Sequence, residues 1–156
     1  MDDTVKEAIE VTNIKITPEV SKITDEVAIG IEIKVHEDLG AVKWVFQWTM
    51  DTVKKRQIVI ISEREEKEGY KAGHSEILEF KTPFVDVEEA GKLKGSKASN
   101  IGLLGVVVVD AKSEEEILRI NMMTSIKKDE ESGELTKSII NPFEGWSIFN
   151  QNIFNN

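Results

Sequence analysis

The segment VAIGIEIKVHEDLGAVKWVFQWTM, Val27 to Met50, decides the fold class. In its first half Val27, Ile29, Ile31, Ile33 and Val35 alternate with small or charged residues. In its second half Val42, Trp44, Phe46, Trp48 and Met50 repeat the pattern. A period of two gathers each set on one face of an extended strand, because successive side chains of a strand point to opposite sides. The polar stretch between them, HEDLGA with Gly40, is short and predicts an antiparallel hairpin rather than a helical crossover.

Working outward, the same reading finds strands at VTNIKIT (Val11 to Thr17), QIVIIS (Gln57 to Ser62), EILEFKT (Glu76 to Thr82), IGLLGVVVVD (Ile101 to Asp110) and EILRINMMT (Glu116 to Thr124). The turn AKSEEE joins the last two into a second long hairpin. LTKSII and WSIFNQNIF add tail strands around Pro142 and Gly145. One helical turn is expected in FVDVEEAGKLKG after Pro83, capped by Asp86 and stopped by Gly91 and Gly95. The charge runs SEREEKEG (Ser62 to Gly69) and KKDEESGE (Lys127 to Glu134) read as solvated connections. Eight or so short strands with short turns predict an all-β, immunoglobulin-like antiparallel sandwich, with one or two helical turns and a single domain over residues 1–156.

Composition narrows the function classes. With 40% apolar and 31% charged residues the chain is globular in character, and no apolar run approaches the ~20 residues that span a bilayer. The opening MDDTVKEAIE is acidic and lacks an apolar signal core, and there is no cysteine. Disulfides and thiolate chemistry are thereby excluded, and an intracellular location is expected. Twenty-nine acids against twenty bases, a net charge of -9, disfavour direct nucleic-acid binding and favour a basic partner.

Chemistry-bearing patterns are missing. His36 and His74 lie far apart without metal-ligand spacing. The glycines of IGLLG fall inside a strand rather than in a phosphate loop, and no Gly-x-Ser-x-Gly elbow occurs. The acids sit in hydrophilic runs where little desolvation would raise a pKa. No enzyme, metal or cofactor is expected.

IGLLGVVVVD breaks the alternation, being apolar on both faces. Leu104, Val106 and Val108 are assigned to the core. Leu103, Gly105, Val107 and Val109 then form a second face, which Ile117, Arg119, Asn121 and Met123 of the next strand extend. Such a patch marks a protein contact, unless the tail segment WSIFNQNIF folds over it. Gly105 points to a close approach, a bulge or a hole that a partner's side chain enters.

The gapless segment IGLLGVVVVDAKSEEEILRINMMTS, Ile101 to Ser125, resembles the hairpin of the anti-silencing-function histone chaperones, with Glu116 to Arg119 on the family's EFIR motif. EDLGAVKW (Glu37 to Trp44), AGHSEILEF (Ala72 to Phe80) and IFNQNIF are similar to further family segments in the same order. The resemblance implies an immunoglobulin-like chaperone that binds the heterodimer of histones three and four. It blocks that heterodimer's tetramerisation and hands it on in nucleosome assembly and disassembly, in the nucleus and cytosol, with other chromatin-assembly proteins as further partners. By position, the histone-three face would comprise Leu103, Gly105, Val107, Arg119 and Met123. Trp146, Ile148 and Phe149 would supply the edge strand for the histone-four tail. The chain departs from the family at Gly105, at the basic stretch DTVKKRQ after the tryptophan strand, and at Gly40-Ala41, where the family carries an acid pair for partner chaperones. Charge complementarity would then rest on Glu63, Glu65, Glu66 or the run Asp129 to Glu134. The alternative is an immunoglobulin-like adaptor that binds a different protein or peptide through the same hairpin or edge.

Overall fold

The computed structural model describes residues 7–51, 56–88 and 100–143. Among these, β1 (Ile9–Thr17), β3 (Val27–Val35) and β6 (Ser75–Thr82) form a three-stranded sheet in the order β1-β3-β6. Strands β2 (Val20–Lys22), β4 (Val42–Asp51), β5 (Arg56–Glu66), β7 (Asn100–Asp110), β8 (Glu116–Lys128) and β9 (Leu135–Ile139) form a six-stranded sheet in the order β2-β9-β8-β7-β4-β5. Every pairing is antiparallel. The result is the expected all-β sandwich.

The alternating residues of the deciding segment face inward from both layers. Ile29, Ile31 and Ile33 of β3 and Trp44, Phe46 and Trp48 of β4 are all essentially sealed from solvent. Phe80 of β6 joins the layers, its ring 4.7 Å from Phe46 and 5.7 Å from Trp44. The polar atoms carried into this interior are paired, as burial demands. Trp44 Nε1 donates to Tyr70 Oη at 3.1 Å and Trp48 Nε1 to Thr124 Oγ1 at 3.2 Å. Beyond β9, Asn141 Nδ2 donates to the Ile14 carbonyl at 2.6 Å, tying the end of one sheet to the middle of the other.

The first predicted hairpin does not form. Strand β3 pairs with β1 and β6, whereas β4 pairs with β5 and β7, so the HEDLGA connection crosses from one sheet to the other. Leu39 within it exchanges backbone hydrogen bonds of 2.8 and 2.9 Å with Tyr70, which fixes the crossing. Two strands with one apolar face each satisfy the same pattern whether they lie side by side or stack face to face, and here they stack. The second hairpin, β7 and β8, forms as predicted.

Both charge runs are partly strand rather than loop. Ser62 to Glu66 finish β5, and Lys127 and Lys128 finish β8. Acids on the solvent side of an edge strand leave no apolar alternation to read. At the expected helical turn, Asp86 Oδ1 accepts the Glu88 amide at 3.0 Å and residues 87–88 take helical geometry; Gly91 and Gly95 lie outside the described residues. A second short helical turn occurs at 142–143.

Candidate protein-binding face

Strand β7 is central in the six-stranded sheet, so its second face is flanked on both sides. Its register with β4 and β8 sets three rows across that face. These are Thr49–Leu103–Met123, Gln47–Gly105–Asn121 and Val45–Val107–Arg119. Strand β5 continues the first two rows with Ile58 and Ile60, and the third with Glu63. The core side is as assigned, with Leu104, Val106 and Val108 fully buried.

No described residue covers the apolar side chains at the wide end of this face. Ile58 is 60% exposed, Ile60 55%, Ile101 56%, Leu103 42% and Met123 48%, and it is their gathering on one face, rather than the exposure of any one of them, that marks a patch. Gly105 lies at the floor of a hollow of roughly 370 Å³ bounded by Gln47, Thr49, Ile58, Leu103, Arg119 and Asn121. A Cβ built on Gly105 would lie 3.3 Å from Asn121 Oδ1 and 3.5 Å from Arg119 Nη1. Of the three alternatives that the glycine left open, the structure has open space above it, bordered by one amide and one guanidinium.

Two of the assigned residues are not exposed. Val107 retains 3% of its surface, and Gly105 is buried beneath its neighbours. Opposite Val107, Arg119 reaches Glu116 Oε1 with Nη2 at 2.8 Å and Nε at 2.9 Å while its Nη1 borders the space above Gly105. The guanidinium thus lies along the valine stripe instead of projecting from it. Ile117 also leaves the face. A bulge between Val108 and Val109 sets Glu116 opposite Val109, and Ile117 packs against the core. The exposed apolar side chains of this face are consequently Ile58, Ile60 and Ile101 together with Leu103 and Met123. The sequence marked Gln57 to Ser62 as a strand, but cross-strand register was needed to place Ile58 in the row of Leu103 and Ile60 in the row of Gly105.

The rim is acidic and ordered. Glu63 and Glu65 are exposed on the outer side of β5, opposite Val45 and Lys43. Glu66 is turned inward, its Oε1 3.3 Å from Arg64 Nε. At the hairpin turn, Asp110 accepts the amides of Ser113 and Lys112, each at 2.9 Å, and those bonds hold its carboxyl below the usual carboxylate range. Asp129 organises the β8–β9 turn in the same way, accepting from Glu131 N and Ser132 Oγ at 3.0 Å each. Trp146, Ile148 and Phe149 lie outside the described residues, as do Lys54 and Lys55.

A second groove, of roughly 450 Å³, lies on the outer face of the three-stranded sheet. Its only large apolar lining residue is Ile77, and Lys15, Glu32, Glu79 and Lys81 alternate in sign around it. The six-stranded face carries far more exposed apolar surface and is the stronger candidate. The histidines pair with surface acids, His36 with Glu10 at 2.7 Å and His74 with Glu76 at 3.2 Å. Among the described residues no group of three potential metal ligands occurs.

Comparison with protein-family models returns no match, and comparison with curated proteins returns none either.

Proposed function

We propose that the chain is a histone chaperone without enzymatic activity, binding the heterodimer of histones three and four on the outer face of the six-stranded sheet. There it would cover the apolar surface through which the heterodimer tetramerises, and hand the histones on in nucleosome assembly and disassembly. The observation that carries the reading is the uncovered row Ile58–Leu103–Met123 beside the Gly105 hollow. It offers apolar area to one face of a partner helix and a receiving site for one side chain. Each 100 Å² of that area contributes about 2.5 kcal/mol before the entropic cost of association. The acid excess of the chain and the Glu63 and Glu65 rim suit a basic partner. The resemblance of the β7–β8 hairpin to the anti-silencing-function chaperones selects histones among basic proteins, and a nuclear location with a cytosolic pool follows from the same reading.

One observation favours a second reading, an adaptor for a different chain. Arg119, which the resemblance places on the histone-three face, is already paired with Glu116, so its guanidinium is engaged before any partner arrives. Mixing the protein with purified histones three and four and running gel filtration at two salt concentrations separates the two. The chaperone reading requires a stable complex that weakens with salt, and Arg119→Glu should lower its affinity about tenfold. Absence of a complex at micromolar concentration rejects it. Capture of an unrelated chain with unchanged affinity for Arg119→Glu selects the adaptor.

A further inference from the structure

The hollow above Gly105 is not lined like the apolar row beside it. Gly105 stands between Gln47 on β4 and Asn121 on β8 in one cross-strand row, so two carboxamide side chains flank a position that has no side chain of its own. Arg119 adds a guanidinium on one side, and Ile58, Ile101 and Leu103 make up the apolar side.

Two distances set what the hollow can hold. Asn121 Oδ1 and Arg119 Nη1 lie 3.3 and 3.5 Å from the point where a Gly105 Cβ would stand, so a hydrogen-bond acceptor and a donor converge on one small volume. Glu116 takes the other two nitrogens of the guanidinium, Nε at 2.9 Å and Nη2 at 2.8 Å, which offsets the arginine's charge and leaves Nη1 at the hollow. Among the described residues, neither Nη1 nor the side-chain amides of Gln47 and Asn121 meet a hydrogen-bond partner. A chain laid on the Ile58–Leu103–Met123 row would cut these groups off from water, and each then needs a partner on the incoming surface.

We propose that the hollow is a specificity subsite for a carboxamide, the head of an asparagine or glutamine projecting from the helix that docks on this face. The inference rests on the reading of the outer face as a binding surface and names the chemistry of its central contact. A carboxamide carries an acceptor and two donors on one planar head, so its oxygen accepts from Arg119 Nη1 while its NH2 donates to Asn121 Oδ1. Other heads fit worse. An aliphatic side chain would leave three polar groups buried and unsatisfied. A carboxylate would set a second anion near Glu116 and an acceptor against Asn121 Oδ1, and a cation would face Nη1. A hydroxyl both donates and accepts, but on a serine or threonine it would leave most of the roughly 370 Å³ empty.

Calorimetry with the heterodimer of histones three and four tests the subsite and the face separately. Asn121→Leu adds apolar area at an exposed strand position, so a hollow built for an aliphatic group would bind more tightly; the subsite requires a loss of at least about tenfold. Leu103→Asp reports on the face whatever enters the hollow, and should also weaken binding at least about tenfold. Histone variants with each asparagine or glutamine changed singly to leucine complete the cycle. One of them should bind the wild-type chain weakly and recover most of its affinity on Asn121→Leu, which also shows that Asn121→Leu is folded. A complex weakened by Leu103→Asp but not by Asn121→Leu overturns the subsite and leaves the face standing. Coupling of Asn121 to a histone acid or aliphatic residue instead overturns it as well. Absence of a wild-type complex, or a complex indifferent to Leu103→Asp, overturns the reading of the face and the subsite with it.

Discussion

Two glycines three residues apart on β7 do opposite jobs. Gly102 faces inward, where an added Cβ would sit 2.7 Å from the Thr49 carbonyl and 3.1 Å from Thr124 Oγ1, the atom that accepts the Trp48 indole. Neither a backbone oxygen nor a hydroxyl locked in a buried hydrogen bond has room to give. Gly102→Ala is therefore expected to destabilise by about 1–3 kcal/mol, read as a lowered urea midpoint with unchanged slope. Gly105 faces outward, and its added Cβ would meet the ends of Asn121 and Arg119, which can swing. Gly105→Val should change stability by less than about 1 kcal/mol, since valine suits a strand. It should nonetheless cut partner affinity about tenfold by filling the hollow, and unchanged affinity would show that no partner group enters there. The hollow at Gly105 was legible because glycine is out of place in a strand. The burial of Val107 was not, because it depends on an arginine whose pairing with Glu116 is a matter of rotamer and register.

Among the elements, legibility followed local alternation and stopped where pairing or solvent took over. Strands β3, β4 and the β7–β8 hairpin announce themselves, since one face of each must be apolar. Strand β2 is three residues of ordinary polarity, and the end of β5 is mostly charged, so neither carries a periodic signal. The short β7–β8 turn was legible, but what organises it is Asp110, through its two amide bonds. Because those bonds stabilise the ionised carboxylate, its folded pKa is lower than its unfolded one. The contribution is present at neutral pH and is lost as pH falls through that depressed value. Asp110→Ala should thus lower stability at neutral pH and flatten the acid limb of a stability-against-pH curve. An acid limb identical to wild type would mean that the turn holds without the carboxylate.

For the whole molecule, the alternation that reveals a sandwich does not say which strands share a sheet, and the HEDLGA crossing shows why. Both layers need the same inward pattern, so topology is carried by a few polar ties between distant segments. Lys137 is one such tie. Its side chain is buried on β9, where Nζ donates to the Ile23 carbonyl at 3.0 Å and also to the Asp25 carbonyl, anchoring the β2–β3 connection. Burial pushes its pKa down to about 8 from an ordinary 10.5. Tyr70, the acceptor of the Trp44 indole, is pushed up to about 12 from 10.0, again chiefly by burial. Between about pH 8 and 10.5 the unfolded chain keeps the lysine proton that the folded chain has released, so stability rises with pH there, by at most about 1.4 kcal/mol per pH unit. Above pH 10 the unfolded chain loses the tyrosine proton that the folded chain keeps until about 12, and stability falls. The two ties together predict an alkaline maximum near pH 10 in the free energy of unfolding by urea. Lys137→Met should remove the rise below that maximum, and Tyr70→Phe should weaken the fall above it. If Lys137→Met climbs between pH 8 and 10 as steeply as wild type, the buried lysine is not what the folded molecule titrates.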